Sequence, residues 1–197
     1  MLPENQKIVS SEDESLILVD AHDNEVGLMS KADCHDGDGV LHRAFSVFLF
    51  NKKGDLLLQQ RASGKRLWPL YWANSCCSHP REGESIEFAA ERRLQDELHV
   101  STVLESVFSF EYQASFGDLG SEHELCHVFL GVVDQDPVAN ETEIAALRFV
   151  SAAELGEELE REPEKFTPWL RLEWQQLNSE FAGTLAKYAK AQRSRVV

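Results

Sequence analysis

Residues 74–100 read NSCCSHPREGESIEFAAERRLQDELHV, a polar loop that leads straight into an amphipathic helix. Ala90 and Leu94 lie one turn apart and begin an apolar stripe, so we predict a helix over residues 84–98. The loop belongs to a longer segment, residues 61–83, which is rich in Trp, Pro, Gly and Ser and has no regular period. The sequence therefore predicts a long ordered loop followed by a helix that packs one face on a core.

Strand patterns flank this helix on both sides. Two hairpins precede it, with turns near residues 23–24 and 51–54. Residues 151–154 have the spacing of a capping box for a short acidic helix, and Thr167 and Pro168 open the last predicted helix. Strands are predicted near residues 16–19, 26–29, 45–50, 56–60, 107–114, 125–133 and 145–150. We expect an α/β (α+β) fold in which a mixed sheet lies between helices.

The composition is typical of one soluble domain. The chain has 197 residues, a hydrophobic fraction of 43% and a net charge of −15. This acidity argues against nucleic-acid binding and against binding to anionic membranes. The chain contains no apolar run of membrane-spanning length, no secretory signal and only four cysteines, so we expect a cytoplasmic protein with free thiols. We expect a single domain over residues 1–197, frayed at about 1–14 and 185–197, and a monomer or weak dimer.

The charge is unevenly distributed along the chain. Residues 40–66 carry six basic side chains and one acidic side chain. Within them, Arg61 and Lys65 border the loop that contains Cys77. Such a basic patch can hold a di- or oligophosphate, so the overall negative charge does not exclude an anionic ligand.

Three histidines and two glutamates are of the residue types that bind divalent metals. His35 and His42 lie seven residues apart and His79 follows in the loop, while Glu122 and Glu124 share one face of an extended segment. Imidazole nitrogens together with carboxylate oxygens suit Mn, Zn or Mg. From spacing alone, each histidine taken separately is more often a surface or hydrogen-bonded residue, so both interpretations stay open.

Two further features are ambiguous on spacing alone. Cys77 lies two residues before His79, and it is either a catalytic acid, base or nucleophile or a small buried hydrophobe. Arg93 and Glu97 lie four residues apart on one face of the predicted helix. They form either a solvated ion pair or a site where the carboxylate holds magnesium against a substrate phosphate.

Together these motifs resemble the metal-dependent, Nudix-fold type of isopentenyl-diphosphate isomerase. The likeness runs from about residue 15 to about residue 180. Its most specific part is Asn-Ser-x-Cys-x-His-Pro at residues 74–80, followed about 40 residues later by Glu-x-Glu at 122–124. It is carried further by KADCH (31–35), LHRAF (41–45), DELHV (96–100), EYQASFGDLGSEHE (111–124) and FTPW (166–169). The resemblance implies a Nudix-like mixed sheet between helices, with the first hairpin as an N-terminal extension.

The resemblance also implies roles for individual residues. One divalent ion (Mn, Zn or Mg) would be held by five ligands, His35, His42, His79, Glu122 and Glu124. The catalytic residues would be Cys77 and Glu124 on opposite faces of the substrate, Tyr112 near Glu124, and Trp169 over the reacting carbons. Four basic residues would grip the diphosphate: Lys31, Arg61, Lys65 and Arg93. Glu97 would help to bind a second ion, Mg, together with the diphosphate.

The activity implied is the interconversion of isopentenyl diphosphate and dimethylallyl diphosphate in isoprenoid precursor biosynthesis. Against the Nudix signature, Ser78 replaces a glycine and Arg93 replaces a glutamate, so the carboxylate set of a hydrolase is thinned. His99 replaces the last glycine of the signature and leaves the end of the helix open. Two alternatives are a Nudix-type diphosphate hydrolase and a non-catalytic metal- or phosphate-binding module.

Overall fold

The computed structural model describes residues 4–189. The strands are β1 Ser15–Val19, β2 Glu25–Ser30, β3 His42–Phe50, β4 Leu56–Arg61, β5 Trp72–Ala73, β6 Cys76–Ser78, β7 Leu104–Ser115, β8 Ser121–Val132 and β9 Ile144–Val150. The helices are α1 Lys31–Cys34, α2 Ile86–Leu98, α3 Ala152–Arg161, α4 Pro168–Ser179 and α5 Ala182–Tyr188. Single 3-10 turns lie at Glu4–Gln6 and Pro163–Lys165.

The strands form one mixed sheet centred on β3. This strand runs parallel to β8 over its whole length, from the pair His42↔Glu124 to Phe50↔Val132. β7 pairs antiparallel with β8. β4 pairs antiparallel with β3 and, further along the same side, with β5, and it pairs with β9 on its other side. The β1–β2 hairpin attaches to the start of β3 through Leu18↔His42, so the predicted N-terminal hairpin extension is confirmed.

Helices cover both faces of the sheet, as predicted. Because neighbouring residues of a strand point to opposite faces, β3 contributes to two cores. Phe45 and Val47 pack with Leu94 of α2 on one face. Phe48 packs on the other face with Trp174 of α4 and with α3 and α5. The α+β sandwich of a sheet between helices is therefore confirmed.

The helix boundaries follow their capping residues. α2 begins after Ser85, whose side chain accepts a hydrogen bond from the Phe88 amide, so the predicted start at residue 84 is two residues early. His99 ends this helix in the left-handed conformation with a φ of 56°, the position where a glycine is most common. α3 has both hydrogen bonds of the predicted capping box between Ser151 and Glu154.

The loop over residues 61–83 is more regular than predicted, because it contains β5 and β6. These strands have two and three residues, too few for a periodicity to be visible in the sequence. β6 pairs antiparallel with β3 through Ser46↔Cys77 and Phe45↔Ser78. The pairing fixes the backbone on which Cys77 is carried.

Both ends of the described residues make contacts with the domain, while the fraying predicted for residues 1–14 and 185–197 stays a prediction. α4 is not the last helix, because α5 follows it and buries Leu185 in the core that contains Leu177. Near the other end, Val9 is buried and the Asn140 side chain donates a hydrogen bond to the Lys7 carbonyl. Apolar side chains and backbone pairing thus hold residues 4–14 and 185–189 against the domain. Residues 1–3 and 190–197 lie outside the described residues.

Within residues 4–189, none of the helices combines the length and the apolar character that crossing a membrane requires.

Candidate active site

Four elements meet where β3 and β8 begin and β6 ends. They bring together five residues that we call the histidine cluster: His35, His42, His79, Glu122 and Glu124. His35 follows α1, His42 begins β3, His79 follows β6, and Glu122 and Glu124 lie near the start of β8. Because β3 and β8 are parallel and paired at His42↔Glu124, their first residues lie side by side. β6 runs antiparallel to β3, so the last residue of β6 lies near the first residues of β3. The fold thus gathers residues that lie far apart in sequence.

The side chains of the histidine cluster converge. His35 Nε2 lies 2.9 Å from Glu122 Oε2, and His42 Nε2 lies 3.2 Å from His79 Nε2. His79 Nε2 is also 3.3 Å from Glu124 Oε1. One ligand atom from each of His35, His42, His79 and Glu122 lies within 4.8 Å of the others. The predicted metal ligands are therefore neighbours in space.

The donor set fits a divalent cation. His35 Nε2 and Glu122 Oε2 are buried and 2.9 Å apart, but they lack hydrogen-bond geometry, and no other residue of the described part of the chain bonds to either atom. With neutral imidazoles, the carboxylates of Glu122 and Glu124 leave negative charge in a buried place, which is costly unless a cation compensates it. Nitrogen and oxygen ligands of this kind bind divalent metals. The histidine cluster can therefore hold a metal ion.

Protons offset part of this negative charge in the protein alone. Burial lowers the pKa of His42, but hydrogen bonds with Cys34 and Glu124 outweigh it and raise the pKa to about 10. Burial and the charge of His42 hold the pKa of His79 well below its usual value. Burial raises the pKa of Glu124, but hydrogen bonds from His42 and Tyr112 outweigh it, so the pKa is lowered and the group is a carboxylate. The histidine cluster would therefore release protons on binding a metal ion.

Cys77 lies beside the histidine cluster with its sulfur in a polar setting. Its Sγ donates to Asn74 Oδ1 at 2.7 Å and accepts from Trp169 Nε1 at 3.2 Å. The Ser46 hydroxyl donates to the same sulfur at 3.6 Å. Burial, and then the charge of nearby Glu173, raise the pKa of the Cys77 thiol well above its ordinary value. The side chain is therefore a thiol that three neighbours hold in place.

Tyr112 and Glu124 form a directly bonded pair. They are cross-strand partners on β7 and β8, and Tyr112 OH donates to Glu124 Oε2 at 2.7 Å. Burial and the charge of Glu124 raise the pKa of the Tyr112 phenol well above its usual value, so the phenol keeps its proton. The Trp169 ring lies near Tyr112, with the two ring centroids 6.5 Å apart. The Arg61 guanidinium stacks 5.2 Å from the Trp169 centroid.

One pocket collects most of the predicted site residues. It is lined by Lys31, His35, Arg61, Lys65, Cys77, His79, Arg93, Tyr112, Glu122, Glu124 and Trp169. Two predicted residues, His42 and Glu97, are buried and are not among the residues that line this pocket. The structure therefore places the metal, catalytic and diphosphate candidates around a single space.

Buried ion pairs form a second cluster beside this pocket, which we call the arginine cluster: Lys65, Arg93, Glu97 and Glu143. Arg93 Nη2 lies 2.6 Å from Glu97 Oε1 and 3.5 Å from Glu143 Oε2. Lys65 Nζ bonds to Glu143 Oε2. Burial raises the pKa of Glu97, whereas Lys65 and Arg93 outweigh burial at Glu143 and lower its pKa. Arg93 and Lys65 thus line the pocket but already have carboxylate partners.

The other two basic candidates, Lys31 and Arg61, form hydrogen bonds to neutral oxygens and not to carboxylates. Lys31 Nζ donates to Ser10 Oγ at 2.7 Å, and burial and the charge of Lys65 lower its pKa. The Arg61 guanidinium donates to the Trp68 and Leu67 carbonyls. Neutral oxygens are easier to exchange for a phosphate than carboxylates, so these two side chains are the more available cations.

The sequence predicted no role in the site for two residues, Glu143 and Arg66. Glu143 completes the arginine cluster but lies in an acidic segment without any motif. Arg66 lines the pocket and bonds to Asp36 and to the Leu119 carbonyl, although the sequence shows it only as one charge in the basic stretch. Asn74 carried a detectable signal, because it begins the Asn-Ser-x-Cys-x-His-Pro motif and accepts the hydrogen bond of Cys77.

Comparison with known proteins identifies close relatives. An "Isopentenyl-diphosphate Delta-isomerase" of Serratia proteamaculans is 49% identical over 158 residues, which is 80% of this chain and 87% of that protein. "Isopentenyl-diphosphate Delta-isomerase 1" of Photorhabdus laumondii is 44% identical, over 82% of this chain and 93% of its own length. An "Isopentenyl-diphosphate Delta-isomerase" of Nocardia farcinica is 47% identical, over 78% of this chain and 88% of that protein.

The fold gives a concordant result. The NUDIX domain model matches residues 40–170. A solved structure from Deinococcus radiodurans superposes with a TM-score of 0.69 at 23% identity and covers 83% of this chain and 98% of its own. A MutT protein from Methanosarcina mazei superposes with a TM-score of 0.58 at 17% identity, over 72% of this chain and 95% of that chain, and both likenesses concern the fold. The chain therefore belongs to the isopentenyl-diphosphate Delta-isomerase family, built on a Nudix domain.

Proposed function

We propose that this protein interconverts isopentenyl diphosphate and dimethylallyl diphosphate by moving a proton across the allylic system. The observation that carries the proposal is that one pocket is lined by both Cys77 and the Tyr112–Glu124 pair, next to a cluster fit for a metal. Two proton-transfer groups around one space are what a 1,3-proton shift requires. Family membership supports the same substrate, because the relatives bear the name of that activity.

The acid of the reaction is assigned to the Tyr112–Glu124 pair, in which Tyr112 carries the proton and Glu124 is ionised. An alkene is a very weak base, so its protonation needs a strong and well-placed acid. When bound, a divalent ion (Mn, Zn or Mg) held by the histidine cluster supplies positive charge that acidifies the groups around it. Tyr112 keeps its proton and bonds to Glu124 at 2.7 Å, so a proton is available on this wall of the pocket.

The second proton-transfer group is assigned to Cys77. Its sulfur is held by Asn74, Ser46 and Trp169 in the pocket wall. Its resting form is the thiol, which would donate a proton to dimethylallyl diphosphate in the reverse reaction. The thiolate left by that donation would, in the forward reaction, take the proton from the carbon next to the one that bears the diphosphate. Trp169 would stabilise the cationic intermediate, because an indole face attracts positive charge, worth about 2 kcal/mol when desolvated, and offers no lone pair to trap it.

The diphosphate is assigned to the basic wall of the pocket. Lys31 and Arg61, whose partners are neutral oxygens, would bind it first, and Lys65 and Arg93 would complete the contact. Glu97 would take part in holding a second ion, Mg, together with the diphosphate. Arg93 and Lys65 would then exchange part of their pairing with Glu97 and Glu143 for contacts with the diphosphate.

The test is an NMR assay of metal-loaded protein with isopentenyl diphosphate and Mg in deuterated water. We expect deuterium to enter the methyl group of dimethylallyl diphosphate. Cys77→Ala and Glu124→Gln should each slow this by at least about a hundredfold, because a positioned acid or base contributes about that much or more. Two matched controls should retain the activity: Cys76→Ala, on the opposite face of β6, and Glu111→Gln, exposed on β7.

The alternatives give different results in the same assay. Steady phosphate release without an allylic product would indicate a Nudix-type hydrolase. No exchange at any metal content would indicate a non-catalytic metal- or phosphate-binding module. The proposal also takes the protein as a cytoplasmic, single-domain monomer or weak dimer, and size-exclusion chromatography with light scattering measures the oligomeric state.

A further inference from the structure

Glu173 is a buried acid for which the proposed reaction has no use. It lies one turn after Trp169 on α4, so both side chains project from the same side of the helix. Glu173 is 0% exposed, and its Oε1 accepts from Cys126 Sγ at 3.5 Å. Its Oε2 finds no hydrogen-bond partner among residues 4–189. A carboxylate in such surroundings is expensive to maintain, whereas a neutral carboxylic acid is not.

No cation compensates this carboxyl within residues 4–189. The titratable groups that face it are Cys126 and Glu124 from β8 and Cys77 from β6, and none of them is basic. Ser46 of β3 contributes only its hydroxyl. Burial therefore raises the pKa of Glu173 to about 8, even though Ser46 and Cys126 lower it.

A short chain of polar side chains connects Glu173 with the Cys77 sulfur. Cys126 Sγ lies 3.5 Å from both Glu173 Oε1 and Ser46 Oγ. Ser46 Oγ in turn donates to Cys77 Sγ at 3.6 Å. The carboxyl thus stands behind Ser46 and Cys126 and does not line the pocket in which the substrate would bind.

We propose that Glu173 is a positioning residue: its buried carboxyl stays protonated in the working enzyme and holds Ser46 and Cys126 so that the Ser46 hydroxyl points at the Cys77 sulfur. The inference rests on the proposed function for the role of Cys77. The proton stays on Glu173 throughout, so no transfer step is added to the reaction.

The two charge states of Glu173 have opposite consequences for the site. The neutral carboxyl of Glu173 can donate its proton to the Ser46 oxygen. The Ser46 hydroxyl hydrogen then remains free to donate to the Cys77 sulfur. The ionised form accepts hydrogen bonds only, so it draws the Ser46 and Cys126 protons toward itself and away from Cys77. It also adds a negative charge behind a sulfur that must become negative to accept a proton.

The test compares wild type with Glu173→Gln, which keeps the size and the donor but has no proton to lose. In the metal-loaded protein with Mg and isopentenyl diphosphate, wild-type kcat should fall as the pH rises through about 8. Glu173→Gln should retain at least about tenfold more of its maximal kcat than wild type at one pH unit above that midpoint. Glu180→Gln, exposed near the end of the same helix, serves as the matched control and should follow wild type.

Infrared difference spectroscopy provides a readout that does not depend on turnover. Wild type should show the carbonyl band of a protonated carboxyl, which disappears with a midpoint near pH 8 and is absent in Glu173→Gln. The S–H band of Cys77, assigned with Cys77→Ser, should shift together with it in wild type and stay fixed in Glu173→Gln. A merely structural Glu173 would move neither the kcat profile nor the S–H band.

The outcomes separate this inference from the proposed function. The inference is overturned, while isomerase activity persists, if the kcat–pH profiles of wild type and Glu173→Gln coincide. It is also overturned if the Cys77 S–H band does not shift when Glu173 ionises. A protein without isomerase activity whose S–H band still follows Glu173 overturns the proposed function and retains the positioning role. Absence of the carboxyl band at neutral pH overturns the inference in either case.

Discussion

The histidine cluster and the arginine cluster are both buried groups of charge beside the same pocket, yet they are balanced differently. The arginine cluster sets two carboxylates, Glu97 and Glu143, against two cations of the protein. The histidine cluster has two carboxylates and three imidazoles, and two of its buried polar atoms lack a hydrogen-bond partner. The charges of the first cluster are balanced within the chain, whereas the second cluster is the one that we propose binds a cation from outside.

The difference shows how buried charge can reveal a ligand. Burying an unpaired ion lowers the free energy of unfolding by several kcal/mol. A protein with buried ions therefore either contains their partners of opposite charge or binds such partners as ligands. In the arginine cluster, a ligand must compete with pairs that already exist. In the histidine cluster, a metal replaces only protons, such as the one held by His42. We therefore expect mutations in the first cluster to act on stability and changes in the second to act on metal binding.

The largest expected effect on stability comes from Glu97→Leu. This change leaves Arg93 buried with only the more distant Glu143, and breaking a buried pair costs about 3–5 kcal/mol. Thermal denaturation should show a Tm lower by about 10 °C, since about 1 kcal/mol corresponds to about 2–4 °C at this chain length.

The matched control for that variant is the double variant Arg93→Met with Glu97→Leu. Replacing both partners by apolar residues is often neutral, so most of the lost Tm should return. An equal loss in the single and double variants would contradict the view that the arginine cluster is balanced within the chain.

Removing the metal should have the next largest effect on stability. Chelation leaves only protons, such as the one held by His42, to offset the carboxylates of Glu122 and Glu124. Metal at a hundredfold excess over its Kd is worth about 2.7 kcal/mol. The Tm should fall by about 5–10 °C, and isomerase activity by at least about a hundredfold because metal charge stabilisation is worth several kcal/mol. Adding Mn or Zn back should restore both, and an unchanged Tm with full activity would contradict a metal at the histidine cluster.

A smaller effect is expected from Lys65→Met. Lys65 lines the pocket and is paired with Glu143, so its loss removes a charged contact with the diphosphate. A charge-assisted hydrogen bond is worth about 1.5–3 kcal/mol, so KM for isopentenyl diphosphate should rise about tenfold or more with a smaller change in kcat. An unchanged KM would place the diphosphate elsewhere. Lys53→Met, in the exposed β3–β4 turn, is the control.

The smallest effect is expected from Asp96→Asn. Asp96 lies 3.6 Å from Arg92 on the outer side of α2, in the same i,i+4 spacing as the buried pair of Glu97 and Arg93. Partly exposed pairs contribute about 0.5 kcal/mol, so the Tm should fall by about 2 °C or less. A loss as large as that of Glu97→Leu would show that spacing, not burial, determines the strength of these pairs.

Much of the fold could be predicted from periodicity. The apolar alternation of residues 45–50 and the helical stripe of residues 84–98 predict the central strand and α2, and the capping box at Ser151 is present in the structure. The short strands β5 and β6 and the separate α5 were not predicted. Two or three residues carry no readable period, and α5 is held by the packing of Leu185 in a distant core.

The candidate site was predictable in part for a different reason. Cys77, His79, Glu122 and Glu124 lie in compact motifs, and a resemblance between motifs can be read without knowing any contact. Glu143 and Glu173 have no such motif. Their importance comes from burial and from neighbours on other strands and helices, and neither is visible along the chain.

The amino-acid sequence by itself determined which elements form and which chemical groups are available, because periodicity, capping and residue type are local properties. Only the tertiary structure decided which of these groups meet. The parallel register of β3 and β8 places His42 beside Glu124, and the antiparallel β6 adds Cys77 and His79. It also decided which charges are paired, since Arg93 finds Glu97 and Glu143 whereas Glu173 finds no cation within residues 4–189. Burial sets the cost of each charge, and burial exists only once the chain has packed.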